Sequence, residues 1–253
     1  MKFVLIHGAW HTGEHWQPVA ECLRNAGHEV HTPTVAGHGK NVNKAVSHAD
    51  GTRSVVDYLV EHDLTDVVLL GHSYGGTILS TVVQAVPERI RRLIYQNAFV
   101  LHDGESLLDA ASPMQQAAFH QLAAASGDNT VTLPFAVWRE AFINDADLAL
   151  AQRAYDSLSP EPFRCFTDKL ELKKFYTLDT PRSYLNCTED IALPPGEVTG
   201  WVPRMANRLG IYRLVQIPGS HEVLFTAPSG WQARLLTRGG ISRKGKFTGK
   251  ENA

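Results

Sequence analysis

Several scarcities in this sequence narrow its class. Cysteine is scarce: Cys22, Cys165 and Cys187 are the three in 253 residues. They are odd in number and in no CxxC spacing, which argues against a disulfide framework and for a reducing compartment. Charge of one sign is also lacking, since 24 Lys+Arg against 26 Asp+Glu leave a net charge of −2. That balance excludes a globally basic nucleic-acid binder, and no nucleic-acid partner is expected. No apolar run approaches the roughly 18 residues of a membrane span. The opening run Phe3-Val4-Leu5-Ile6 is too short for a signal peptide. The expectation is a soluble, cytoplasmic protein with no membrane partner. Charged residues make up only 20% and apolar residues 43%, which excludes a disordered chain. A chain of this length buries roughly 70–75% of its extended-chain surface and needs no staple to hold a core.

What is present alternates. Phe3-Val4-Leu5-Ile6 reads as a strand buried on both faces, and Trp16 to Ala26 follows with a helical period that Gly27 stops. Glu29-Val30-His31-Thr32 is a second strand ended by Pro33. A polar stretch from Gly37 to Gly51 leads to a helix at Thr52–His62. Asp66-Val67-Val68-Leu69-Leu70-Gly71 is the strongest strand signal, followed directly by a helix from Ser73 to Val86. Further strands are expected at Arg92–Asn97, Arg182–Cys187 and Tyr212–Ile217. Such alternation predicts βαβ units and a mostly parallel sheet flanked by helices. Residues 103–180 break the rhythm, with helical fragments, prolines and aromatics but no convincing strand. They read as a helical cap over a site at the sheet's carboxyl edge. The division expected is therefore 1–102 and 181–238 for the core, 103–180 for the cap and 239–253 for a disordered tail.

Gly71-His72-Ser73-Tyr74-Gly75 fits G-x-S-x-G and lies between the strongest strand and a helix. A serine on that turn is pushed out at the sheet edge, and the flanking glycines admit backbone too close for a Cβ. Serine is a weak nucleophile without a base and a group to orient the base. The only histidine beyond position 120 is His221, directly after the last predicted strand. The acid should lie in the loop after the preceding strand, Cys187-Thr188-Glu189-Asp190. Asp190 is favoured there over Glu189, with Asp103 an outside candidate. The second half of an oxyanion hole should come from the loop after the first strand. The backbone N–H groups of Ala9 and Tyr74 are the expected donors.

With these residues in hand, the chain resembles an α/β-hydrolase, and within that superfamily it is similar to the plant methylesterase and hydroxynitrile lyase branch. The resemblance rests on Phe3–His11, Ala26–Val30, Gly71–Gly76, Ala98-Phe99, Leu158-Ser159-Pro160-Glu161, Cys187–Asp190 and the His221 loop. It implies a helical cap inserted after the sixth strand, a catalytic acid at Asp190 and no cofactor. Lyase relatives carry a threonine where this chain has Gly8 and a lysine where it has Glu222. A carboxylate would oppose departing cyanide, so hydrolysis is expected over the lyase reaction. Cofactor-free chemistry of another kind would also suit this fold, as would a non-catalytic small-molecule receptor. A complete triad argues against the receptor.

The spacing of His7, His11 and His15 would align metal ligands only on a helix, and Gly8 and Gly13 argue against one, so no metal site is expected. Cap aromatics supply a candidate pocket in Phe135, Trp138, Phe142 and Tyr155, joined by Trp10. No cluster of Arg or Lys marks this segment, so a polyanionic substrate is not expected. The substrate expected is a compact methyl ester or methyl carbamate with an apolar or aromatic half, taken by a chain that forms a homodimer.

Overall fold

The computed structural model describes residues 1–230. Along them run eight strands: β1 Lys2–Ile6, β2 Glu29–His31, β3 Val67–His72, β4 Ile90–Gln96, β5 Thr130–Val131, β6 Glu161–Pro162, β7 Arg182–Cys187 and β8 Arg213–Ile217. Six of them form one sheet in the order β2-β1-β3-β4-β7-β8, and every pairing in it is parallel. The helices α1 Gln17–Asn25, α2 His48–Glu61 and α3 Gly75–Ala85 connect the first strands. This is the parallel sheet flanked by helices that the alternation predicts, and it fits the α/β-hydrolase fold that the resemblance implies.

Side chains of a strand alternate between faces, and the two cores follow that period. Phe3, Leu5, Val68 and Leu70 point one way and pack with Trp16, Val19 and Leu23 beside α1. Val4, Ile6, Val67 and Leu69 point the other way, into a larger core with Val55, Leu59, Ile78 and Val82 of α2 and α3. Each fully buried aliphatic side chain contributes about 1.5–3 kcal/mol. The central strand β3 is buried at all six positions, as its unbroken apolar run requires.

Local chemistry moved some boundaries. α2 begins at His48, four residues ahead of the predicted Thr52, because the Ser47 side chain accepts the Asp50 amide and Asp50 in turn accepts the Ser47 amide. That capping box hides in the stretch read as polar loop. α3 begins at Gly75, not at Ser73, because Ser73 takes a left-handed backbone angle instead of a helical one.

Residues 103–180 leave the sheet after β4, the fourth strand along the chain rather than the sixth, since only four strand-forming runs precede them. Their longer helices are Pro113–Ser126 and Leu148–Ser157. They also hold a two-stranded antiparallel ribbon of β5 and β6 that the sequence did not suggest. Each of those strands is two residues long, too short to show any period. The predicted tail 239–253 lies outside the described residues. No described helix is long and apolar enough to cross a membrane.

Candidate active site

Ser73 occupies the turn between β3 and α3 with φ 53°, a left-handed conformation costing a non-glycine residue about 1–3 kcal/mol. The surroundings enforce it. A Cβ at Gly71 would lie 2.6 Å from the Gly75 carbonyl oxygen, one at Gly75 2.8 Å from the His7 carbonyl oxygen, and one at Gly76 2.5 Å from the Phe99 carbonyl oxygen. Only glycine lets α3 sit this close to β1 and β4. The Ser73 amide donates to Gln96 O at 3.2 Å and its carbonyl accepts the Phe99 amide at 3.1 Å, so the turn is fixed from both sides.

His221 follows β8 and is buried. Its Nδ1 lies 2.6 Å from Asp190 Oδ2 in the loop after β7. The Asp190 side chain also accepts Asn97 Nδ2 at 2.5 Å and the Ala192 amide at 2.8 Å. Three donors on a carboxylate hold it aimed. Nδ1–H therefore donates to Asp190, which leaves Nε2 as the basic nitrogen. Burial pushes the His221 pKa down, but the Asp190 charge, the hydrogen bond to it and the Glu222 charge together raise it above the ordinary 6.5. Trp201 stacks on the ring at 5.3 Å and Phe142 meets it edge-on at 5.4 Å. Ser73 and His221 line one cavity without a hydrogen bond between them, a looseness common before substrate enters. The other acid candidates lie elsewhere: Glu189 is exposed, and Asp103 accepts the Leu172 amide at 2.7 Å.

The loop after β1 is pinned through its own polar groups. Gly8 O accepts His7 Nδ1 at 2.8 Å, and Ala9 O accepts His11 Nδ1 at 2.6 Å. The Trp10 amide donates to Glu161 Oε2 at 2.9 Å, and Trp10 O accepts the Ser159 amide at 2.9 Å. Among the described residues, the Ala9 amide has no acceptor, and neither has the Tyr74 amide. Both residues line the cavity beside Ser73. Two amides without an acceptor at one cavity are the kind of donors that can hold a negative oxygen.

The cavity is narrow, with about 30 Å³ open to the centres of water-sized spheres, and most of its wall is apolar, from Phe99, Leu107, Phe119, Phe166, Leu193 and Trp201 among others. Of the predicted pocket residues, Trp10 and Phe142 line it. Phe135, Trp138 and Tyr155 do not. Trp138 is wholly buried behind Phe142, stacked at 6.0 Å, with its indole N–H on Ala151 O. Phe135 packs on Tyr155 at 5.2 Å, and the Tyr155 hydroxyl donates to Leu133 O. These aromatics hold the cap together.

His7, His11 and His15 do not converge as ligands. His7 Nε2 accepts the Val35 amide, and His15 Nδ1 accepts the Thr12 amide. Their nitrogens are spent on loop geometry. Burial is the main cause that drives the pKa of His7 and His72 well below 6.5, and that of His15 to about 3. One group whose atoms could share an ion is His72, His221 and Glu222, and it includes the base itself. Gly8, where lyase relatives carry threonine, has no room: a Cβ would meet His72 Nδ1 at 2.9 Å. Glu222, where they carry lysine, is buried and faces inward.

Sequence reasoning missed three contributors: Asn97, Glu161 and the pairing of His11 with Glu222. Glu161 had a signal, because it closes one of the stretches that carry the family resemblance. Asn97 had none beyond its place after β4.

Comparison with known proteins agrees with this fold. The sequence profile of the alpha/beta hydrolase family matches residues 3–235. A carbendazim hydrolyzing esterase of Nocardioides sp. is 41% identical over 110 residues, 42% of this chain and 46% of that protein. Salicylic acid-binding protein 2 of Nicotiana tabacum is 27% identical over 92% of this chain and 95% of its own. Among solved structures, an extracellular alpha/beta-hydrolase from a Paenibacillus species is 44% identical, with a TM-score of 0.91 over 94% of this chain and 98% of that one. It is described as sharing structural and functional homology with the tobacco protein.

Proposed function

Because the chain belongs to the alpha/beta hydrolase family, we propose that it hydrolyses small ester-like substrates through Ser73, His221 and Asp190. The observation that carries this reading is the 2.6 Å contact of His221 Nδ1 with Asp190 beside a strained Ser73 in one apolar cavity. In the reaction Ser73 Oγ attacks the substrate carbonyl while His221 Nε2 takes its proton. The oxygen that becomes negative is held by the Ala9 and Tyr74 amides. The imidazolium, stabilised by Asp190, then gives the proton to the departing alcohol and leaves an acyl-enzyme. Water, deprotonated by the same nitrogen, attacks that ester and returns Ser73.

The wall selects the substrate class. Among the described residues, His221 is the one titrating imidazole facing the cavity, and no lysine, arginine or carboxylate lines it. A neutral, compact molecule with an aromatic or aliphatic body fits, and the limited volume favours a leaving group such as methanol. A methyl carbamate has the same shape and polarity. The naming of one relative as a carbendazim hydrolyzing esterase supports its inclusion. The lyase reaction is disfavoured by the crowded Gly8 and by the carboxylate of Glu222 beside the base. Three unpaired thiols support a reducing compartment for this chain.

A panel of methyl esters, methyl carbamates and charged esters tests the proposal. Turnover of the neutral aromatic members, lost in Ser73→Ala, is expected. Preference for anionic substrates, or cyanide release from mandelonitrile-type cyanohydrins, would overturn it.

A further inference from the structure

The two sides of the site are joined by a contact that the reaction itself does not use. His11 Nδ1 can only be a donor, because its partner is the carbonyl of Ala9 at 2.6 Å. The other ring nitrogen, Nε2, lies 3.1 Å from Glu222 Oε2, with both side chains almost wholly buried. The approach is out of line for a hydrogen bond, and neither atom has another partner. A neutral His11 with its proton on Nδ1 would present a lone pair to a carboxylate oxygen in a dry interior. That arrangement is repulsive and leaves two buried polar atoms unpaired. One proton between Nε2 and Oε2 removes both penalties, and a small turn of the carboxylate aligns it.

We infer that His11 and Glu222 hold one bridging proton, and that through this bridge they act as positioning residues for the Ala9 oxyanion amide. The mechanical argument is direct. The peptide from Ala9 to Trp10 is pinned at both ends, its carbonyl by His11 Nδ1 and its N–H by Glu161 Oε2. Trp10 is held at φ 66°, so the loop is strained and needs such pins. Glu222 is the residue after His221, and its own amide is held by Ser220 Oγ and Phe142 O. The bridge thus ties the oxyanion loop to the loop that carries the base and fixes their separation. Other titratable rings around His11 do not compete for the proton. His15 meets it edge-on at 5.1 Å and His72 at 5.9 Å, and burial holds both toward neutrality. The remaining ring neighbours, Trp138 and Phe225, are uncharged.

This inference rests on the hydrolase reading, and its test separates the two. Proton and ¹⁵N NMR of the wild-type protein should show a downfield, hydrogen-bonded proton on His11 Nε2, absent in Glu222→Leu. That readout needs no turnover. In kinetics on a methyl ester, Glu222→Leu should lower kcat on the order of 10²-fold. KM should change less than about threefold, because the oxyanion contact is made in the transition state. Glu222→Gln restores a donor facing Nε2 and should keep kcat within about threefold of wild type. If Glu222→Leu does not fold, the wild-type resonance and the Glu222→Gln kinetics still decide. A missing bridging proton, full kcat in Glu222→Leu, or equal damage in Gln and Leu variants would overturn the inference. If instead a serine-directed phosphonate fails to label the wild type while the bridging proton is present, the hydrolase reading fails and the bridge stands.

Discussion

The floor and the roof of the cavity are built by different physics. The floor comes from loops at the carboxyl ends of β1, β3, β4, β7 and β8, and its groups are set by directional bonds and strained backbone. Ser73 sits at φ 53°, Trp10 at φ 66° and Asn97 at φ 36°, and Asp190 is held by three donors. The roof comes from residues 103–180 and meets the cavity with Leu107, Ala111, Phe119, Phe142 and Phe166. Those contacts are apolar and non-directional, so they tolerate repacking where the floor does not. On the proposed reading, chemistry resides in the floor and selection in the roof. Floor substitutions should therefore reduce turnover of every substrate alike. Roof substitutions should redistribute turnover among substrates.

The sharpest floor test is the acid. Asp190→Asn keeps the shape but loses the tautomer and the charge, and in a serine-protease triad that change costs on the order of 10⁴ in kcat. Glu189→Gln and Asp103→Asn should stay within about threefold, since neither touches the base. Steady-state kinetics on a chromogenic ester distinguishes them, and a larger loss at Asp103 would move the acid. Next is Gly8→Thr. Its Cβ would press on His72 Nδ1 at 2.9 Å and on Ser73 Cβ at 3.2 Å, so kcat should fall on the order of 10²-fold for all substrates, with no cyanohydrin cleavage gained.

The roof should respond otherwise. Phe119→Ala enlarges the cavity and should change the ratio of kcat/KM between aromatic and short aliphatic esters by about tenfold. Its kcat on the smallest ester should hardly move. A uniform loss across substrates would break the division between floor and roof.

Smaller effects come from charge. The base must be neutral, so kcat/KM should fall as pH drops through the His221 pKa. That pKa lies above the ordinary 6.5, because the Asp190 and Glu222 charges outweigh burial. Glu222→Lys reverses one of those charges and should move the acid limb to lower pH. An unmoved limb would mean that the charge at position 222 is not felt by the base. Stability should follow the neutral histidines. Burial depresses the pKa of His7 and His72, and that of His48 to about 4. For these bases the unfolded chain takes up protons first. Their contribution is intact above about pH 6.5 and is lost as pH falls from there toward 4. His221, raised instead, contributes with the opposite sign. Thermal melts should show Tm falling from pH 7.5 to 4.5, and a rising Tm would contradict the neutral assignment.

The floor was legible where a local pattern met a chain position. The apolar run before Gly71 and the helix after Gly75 placed Ser73, and loops after two predicted strands placed Asp190 and His221. What escaped depends on partners far away in sequence. Glu161 meets the Trp10 amide across 151 residues, and Asn97 meets Asp190 across 93. Glu222 stands beside the base in the sequence, but no spacing points from it to His11. The roof was least legible. An aromatic that lines a cavity and one that fills a core have the same composition signal, so nothing in the sequence separates Trp138, Phe135 and Tyr155, which are packing, from the aromatics of the wall. Short capping boxes and two-residue strands give no period to read.

The central claim is that Ser73 is a nucleophile activated by this floor. The most direct measurement is intact-protein mass spectrometry after exposure to an aryl sulfonyl fluoride or a phosphonate ester. The account predicts one adduct on the wild-type chain, mapped to Ser73 and lost in Ser73→Ala. An unlabelled wild type, or an adduct that persists in Ser73→Ala, would contradict it.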